Sequence, residues 1–459
     1  MATSPSFRIG KVTVYLRGKV WYLRYHEGAR RQQVRAGPDK AAARQLASQV
    51  NVQLETGTPV ATSFEPVTIP ELQNRWLEHH EHVLRSSMAT INRYRTATGH
   101  LVHYCEKVQS TRHAGTFQAT QAEAFVRYLR TLEVAPNGHK NAVKRRLRDK
   151  GLWYVLAVCR SMFAFALKRR HLPPYSENPF GAIDIDRMTI EDAKPVILFT
   201  SEQESQFLAA CDGWMFPLFL TLTLTGLRPG ELAHLLVEDL DLAGGWLLVR
   251  NKPELGWQVK TRNERKVPLS PELASILLQH IGGRRTGPVF LRRRFVAGDV
   301  PVVSGVDRPG LLQELSDRIA SLEKEAERSL TRQERMKACH TLWVDMGAVR
   351  EDRIREAFMR VTVAIGIPSS TAPKVLRHMF ATALQDANVD PLIRNELMGH
   401  TPAQGGRRAG TSLGMTGVYT HTRDETLRRQ LFAALEVRPA MAAARGWLAA
   451  HGQQARPAA

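Results

Sequence analysis

The sequence predicts a mainly α chain with small β-sheets: a basic N-terminal sheet-plus-helix unit, a helical region, and a mixed α+β region carrying a helical insertion. Three observations predict it. Short apolar alternations stand near the N-terminus, helical periodicity runs from about 68 to 171, and beyond residue 198 helix caps alternate with short strand patterns. At 459 residues the chain is too long for one ordinary core. Lysine and arginine outnumber acidic residues 64 to 44, giving a net charge of +20 and favouring a polyanionic partner. Nucleic acid is preferred over a membrane surface, because no unbroken 18-residue apolar run and no lipidation motif occur. Met1 to Gly10 lacks the apolar core of a signal peptide. Cys105, Cys159, Cys211 and Cys339 are too scattered for a zinc site, so reduced thiols, a cytoplasmic setting, no metal and no cofactor are expected.

Taken in order, Val12, Val14 and Leu16, then Val20, Tyr22 and Arg24, alternate as two short strands across Arg17-Gly18-Lys19. Pro38-Asp39-Lys40 opens a helix with Ala43, Leu46, Val50 and Leu54 on its apolar face, and the unit closes near residue 57. Thr68-Ile69-Pro70-Glu71 reads as a capping box opening a region of about 67–180, with helices at 68–83, 88–106, 119–133 and 139–171. A turn-rich linker, 181–197, precedes a region expected to span 198–437, which Thr200-Ser201-Glu202-Gln203 opens as a second capping box. Helices at 200–212 and 214–224 lead to Gly226, which ends one helix, and Pro229, which starts another. Strands are expected at 246–250, 256–261 and 264–269. Within an insertion of about 305–348, Leu312, Leu315, Ile319, Leu322 and Ala326 step by three and four, either as a helix packed on its own domain or as a contact between protomers. A helix at 350–365 follows, Leu427, Leu431, Phe432 and Leu435 mark another, and 438–459 reads as a tail.

Several motifs stand in order along the second half: Thr225-Gly226-Leu227-Arg228-Pro229-Gly230-Glu231-Leu232, Lys260-Thr261, Lys374-Val375-Leu376-Arg377-His378, Leu397-Met398-Gly399-His400 and Val418-Tyr419-Thr420-His421. Tyr419 is the only tyrosine after Tyr175. A lone phenol downstream of arginine and histidine motifs, in so basic a chain, points to a nucleophile aimed at a phosphodiester. In these motifs, over residues 198–437, the sequence resembles the tyrosine recombinase (phage integrase) family, and the helical region before them agrees with that family's core-binding domain.

The resemblance implies a site-specific DNA recombinase whose strand cleavage leaves a 3′-phosphotyrosyl enzyme. Arg228 and Arg377 would neutralise the non-bridging oxygens, a task suited to planar, permanently charged forks. Lys260 would protonate the leaving 5′-oxygen, with Lys252 and Lys266 as competitors for that role. Lys374, where the family more often has histidine, and His400 would hydrogen-bond the phosphate, and Tyr419 would attack phosphorus. Glu231 caps its helix or braces Arg228. Tyr419 lies nineteen positions after His400, a wider separation than is usual in the family.

The implied partner is double-stranded DNA at core attachment sites, with arm sites for the N-terminal unit. A homo-tetramer on DNA and accessory bending or directionality proteins go with it, in a nucleoid-associated, cytoplasmic location. The C-terminal helix would dock on a neighbouring protomer or on its own. A type IB-like topoisomerase and a non-catalytic architectural DNA-binding protein are the alternatives.

Overall fold

The computed structural model describes residues 5–28, 30–57, 60, 64–135, 141–174, 176–191, 196–400 and 422–451. They fall into two compact units, Met1–Lys194 and Pro195–Ala459.

The first unit begins with an antiparallel meander of β1 (Ser6–Ile9), β2 (Val12–Arg17), β3 (Val20–Glu27) and β4 (Arg30–Gly37), followed by α1 (Lys40–Glu55). Asp39 caps α1 by accepting from Ala41 N–H at 2.8 Å, and Ala43, Ala47 and Val50 are buried with the sheet's inner face. The expected phase of β3 is wrong. Trp21, Leu23 and Tyr25 point inward, whereas Val20, Tyr22 and Arg24 do not. Pairing of Arg17 with Val20 across the turn sets Val14 opposite Leu23, so the register decides which alternate residues are covered. On the uncovered face Tyr15 and Tyr22 stack with ring centroids 5.9 Å apart, and Arg24 lies over Tyr15.

Four helices follow: α2 (Ile69–Glu78), α3 (Met88–Lys107), α4 (Ala119–Thr131) and α5 (Asp149–Lys168). Thr68 caps α2 by accepting from Glu71 N–H at 3.2 Å, with Pro70 in the first turn. The last of these helices was expected from residue 139, but it starts ten residues later, because two short strands, β5 (Glu133–Val134) and β6 (Arg145–Arg146), pair just before it. By length and composition α5 could cross a membrane. Its Leu152, Leu156, Cys159, Met162 and Phe163 are instead buried in the cluster of this helical region, which makes it a core helix.

In the second unit, Thr200 and Gln203 form the capping box of α6 (Ser201–Ala209). α7 (Met215–Thr225) is buried along its whole length. Its threonine hydroxyls are satisfied within the helix, Thr221 and Thr223 donating to the carbonyls of Pro217 and Phe219 at 2.7 and 2.8 Å. α8 (Pro229–Ala233) leads to the three-stranded antiparallel sheet β7 (Leu240–Asp241), β8 (Trp246–Val249) and β9 (Arg265–Pro268). The strand expected at 256–261 does not form. Residues 250–264 are a loop instead, because Asn251 takes up backbone groups that a strand would pair across the sheet. α9 (Pro271–Ile281) and α10 (Arg293–Val296) precede the insertion, a pair of helices α11 (Arg308–Ala326) and α12 (Arg332–Asp345). Then come α13 (Glu351–Ala364), α14 (Lys374–Asp386) and α15 (Pro391–Met398). The expected seam on α11 is only partly covered: Leu311 and Leu315 are buried, while Leu312 and Leu322 are 36% and 40% exposed.

The expected tail is corrected as well. Pro439–His451 forms a helix after the helix Asp424–Glu436, and its Ala440, Met441 and Ala444 belong to the main core of this unit. Trp447 stacks on Phe216 with centroids 4.3 Å apart. The helix thus packs on its own chain. Arg438 anchors it from inside, donating to Thr223 O at 2.8 Å and to Glu204 Oε1 at 2.9 Å, with only 7% of Arg438 exposed. Arg438→Ala would leave Glu204 buried and unpaired, so a loss of about 3–5 kcal/mol in urea unfolding of the protein is expected; a loss under about 1 kcal/mol would show that the anchor contributes little.

Candidate active site

Arg228 is the N-cap residue of α8, and α7 reaches it through Gly226. Gly226 has φ +62°, and a Cβ there would lie 2.3 Å from the Phe380 ring, so only glycine fits this close approach. Glu231, one turn into α8, does two things at once. Its Oε2 accepts from the Arg228 backbone N–H at 2.9 Å, and its Oε1 pairs with Arg228 Nη1 at 2.6 Å. Both structural roles foreseen for Glu231 are therefore present together.

Arg265 on β9 completes the group. It donates through Nη2 to Glu231 Oε2 at 2.6 Å, through Nη1 to Oε1 at 3.2 Å, and through Nε to Leu397 O at 2.9 Å. Arg377, in the first turn of α14, is 5% exposed and donates to Gly226 O at 2.5 Å and to Met398 O. Its Nη2 lies 3.3 Å from His400 Nε2. Arginine has no acceptor, so Nε2 carries the lone pair in this contact and a neutral ring holds its proton on Nδ1.

The electrostatics follow from this packing. Burial would raise the Glu231 carboxyl, but the Arg265 fork and the Arg228 N–H and charge overcome it and hold it down at about 2. Burial, with Arg228 and Arg265 nearby, lowers Arg377 to about 10 against the opposing pull of Glu231, so it stays charged at neutral pH. Burial and then Arg377, Arg228 and Arg265 push His400 below its usual 6.5, which favours the neutral imidazole. Three guanidinium groups surround one carboxylate. That leaves two positive charges uncompensated within the cluster, and among the described residues Arg228 Nε and Nη2 have no hydrogen-bond partner.

The structure thus brings Arg228, Arg377 and His400 together. It sets Lys374 exposed at the start of α14, one turn before Arg377 and close enough to His378 to lower that imidazole after burial does. Lys260 is exposed on the 250–264 loop, with no hydrogen bond or ion pair among the described residues. Its two competitors are engaged: Lys252 is 1% exposed and paired with Asp239 at 2.8 Å, and Lys266 pairs with Asp424 at 2.6 Å. Tyr419 lies outside the described residues.

Sequence reasoning missed Arg265. The signal was its place two residues before Val267 and four before Leu269, on the covered face of a strand, where an arginine needs a buried partner. It also missed Asn251, whose amide accepts from Val259 N–H at 2.9 Å and donates to Arg262 O at 3.0 Å, bracketing Lys260 from both sides.

Because folding depresses the Glu231 carboxyl from 4.5 to about 2, its contribution to stability is complete above about 4.5 and is lost as pH falls towards 2. Urea unfolding midpoints should therefore drop over that window in the wild type. Glu231→Gln, already lacking the ion pair, should be less stable at pH 7 and show a shallower acid slope; an unchanged slope would mean that other carboxylates set it.

Comparison with known proteins bears on the same residues. The model of the phage integrase family matches residues 198–426. A tyrosine recombinase XerC of Thermodesulfovibrio yellowstonii is 22% identical over 271 residues, covering 58% of this chain and 69% of that protein. A tyrosine recombinase XerC of Halalkalibacterium halodurans is 25% identical over 317 residues, covering 68% and 80%. Among solved structures, that of the Tn1549 transposon integrase in complex with transposon right end DNA covers 80% of this chain and 98% of its own, at 17% identity and a TM-score of 0.50. That likeness is one of fold.

Proposed function

Since the chain belongs to the phage integrase family of tyrosine recombinases, we propose that it is a site-specific recombinase that cuts and rejoins double-stranded DNA through a 3′-phosphotyrosyl intermediate. The observation that carries this reading is the buried arginine cluster with its two uncompensated positive charges. A phosphodiester brings one negative charge, and attack by a phenolate adds a second at the transition state. A preorganised cluster of that excess stabilises the transition state more than the bound substrate, which is the requirement for catalysis.

In this reading Tyr419 Oη bonds to phosphorus after its proton passes to water, and the bond from phosphorus to O5′ breaks with its electron pair on that oxygen. Lys260 Nζ supplies the proton that makes it a hydroxyl. Arg228 and Arg377 hold the non-bridging oxygens, and His400 and Lys374 donate to the same phosphate. The phosphotyrosyl ester conserves the energy of the broken bond, so a second 5′-hydroxyl can displace Tyr419 without ATP or a metal. The N-terminal sheet fits a second DNA contact, because Arg8, Arg17, Arg24, Arg31 and Arg35 are exposed on the face away from α1. Four copies acting on two duplexes, assisted by DNA-bending or directionality proteins, in the integration or excision of a mobile element in the cytoplasm, complete the proposal.

The test is covalent capture. Wild-type protein incubated with a pool of nicked duplexes of randomised sequence should give adducts that survive detergent, enriched in one core sequence, and Tyr419→Phe should give none. Adducts persisting in that variant would remove Tyr419 as nucleophile. Relaxation of any supercoiled plasmid with no sequence enrichment would favour a topoisomerase.

A further inference from the structure

We propose that the insertion α11–α12 is a positioning element for Lys260. The inference deepens the reading above and rests on Lys260 being the acid that protonates the leaving oxygen. Lys260 is not delivered by a strand. It sits in a four-residue turn closed by Arg262 N–H donating to Val259 O at 2.8 Å, bracketed by the Asn251 amide. Just before it, Lys252 and Trp257 exchange both backbone hydrogen bonds at 3.0 Å and close the turn Pro253–Leu255 into a knob.

The insertion grips that knob at three points. Trp343 of α12 donates its indole N–H to Leu255 O at 3.0 Å, and Leu255 is buried among Leu311, Leu315, Cys339 and Leu342. Arg308, at the start of α11, donates through Nε to Glu254 Oε1 at 3.0 Å. At Gly256, φ +74°, a Cβ would lie 2.6 Å from the Cβ of Cys339, so α12 runs directly against the loop backbone. His234, the residue that ends α8, then stacks on Trp257 at 5.0 Å and meets Trp343 edge-on at 4.7 Å. The same aromatic contact therefore joins the helix of Arg228 and Glu231, the loop of Lys260 and the insertion. Moving the insertion moves the loop, while Arg265 and Arg377 have anchors of their own in the carbonyls of Leu397, Gly226 and Met398.

This role predicts a defect confined to proton delivery. When sulfur replaces the bridging O5′, the departing thiolate needs no proton, because a thiol ionises near ~8.5 whereas water, the parent of an alkoxide-like leaving group, ionises near ~15.7. The probe is the core duplex recovered by covalent capture, made with oxygen or with sulfur at the 5′-bridging position. Lys260→Ala should lose about 10²- to 10⁴-fold in cleavage rate on oxygen and recover on sulfur. Trp343→Phe keeps an aromatic ring but removes the indole N–H and some of its packing, and Arg308→Gln removes a partly exposed ion pair. Each should slow cleavage about five- to tenfold on oxygen and match wild type on sulfur. Amides of residues 252–262 should exchange faster in both variants while those of α14 do not change.

Equal slowing on both substrates, or none on oxygen, would overturn the positioning role, and so would failure of sulfur to rescue Lys260→Ala. Arg308→Gln decides the matter if Trp343→Phe proves generally unstable. Absence of any wild-type adduct would instead strike at the recombinase reading itself.

Discussion

One buried carboxylate organises the catalytic half of this protein. Glu231 is 4% exposed, and its two oxygens are claimed by the fork of Arg265, the side chain of Arg228 and the N–H that starts α8. Burying a lone charge costs several kcal/mol, and mutual attraction offsets that only when the remaining donors and acceptors are also satisfied. Here they are satisfied by helix ends. The C-terminal turn of an α-helix leaves carbonyls without intrahelical partners, and two such turns converge on the arginines. Gly226 O at the end of α7 and Met398 O at the end of α15 accept from Arg377, and Leu397 O accepts from Arg265. The negative ends of two helix dipoles thus face the cations. The cluster stays cationic although Arg265 and Arg377 are buried, and Arg228 keeps an exposed edge, which is what an arginine fork needs in order to meet a phosphate without reorganising.

Much of this was legible in the sequence, though unevenly. The caps at Thr68 and Thr200, and Gly226 as a helix stop, could be read because each depends on neighbours within four residues. Arg228, Arg377 and His400 were legible as motifs, and the structure sets them side by side. What failed was whatever depends on partners far away in the chain. The inward phase of β3 follows from its pairing with β2, not from its own alternation, and both phases contain plausible apolar residues. Trp257, Val259 and Thr261 alternate as a strand would, but Asn251 bonds across the loop and removes the ladder. The last helix escaped notice because its alanine-rich face shows little hydrophobic contrast until Trp447 meets Phe216.

The lysines illustrate how burial separates candidates that sequence treats alike. Lys252, Lys260 and Lys266 lie within fifteen residues on one sheet and its loop. Lys252 is neutralised inside by Asp239, and the loss of either partner would strand the other, which makes it a support for the 252–257 knob rather than a mobile acid. Lys266 is tied to Asp424 and lies 4.4 Å from the centroid of Trp246, so it connects the sheet to the helix after the Tyr419 segment. Lys260 alone of the three remains exposed and uncommitted among the described residues. A proton donor to a DNA leaving group has to be in that state, because Lys252 would give up its proton only by leaving the buried carboxylate of Asp239 uncompensated, and Lys266 only by breaking its pair with Asp424.

Charge also separates the insertion from the rest of the chain. Over 308–345 it carries seven basic and seven acidic residues, within a protein whose net charge is +20. Half of these charges are answered locally: Arg318 by Glu314 and Asp345, Arg328 by Glu334, Arg335 by Glu323. Exposed pairs of this kind add little stability, but they leave no surplus of positive charge to attract a polyanion. An insertion that gains nothing electrostatically from DNA, yet buries Trp343 and Leu342 against the loop that presents Lys260, acts on the reaction through packing. Its effect then travels by the rigidity of close-packed side chains, in which a shift of α12 cannot be absorbed between Cys339 and the backbone of Gly256.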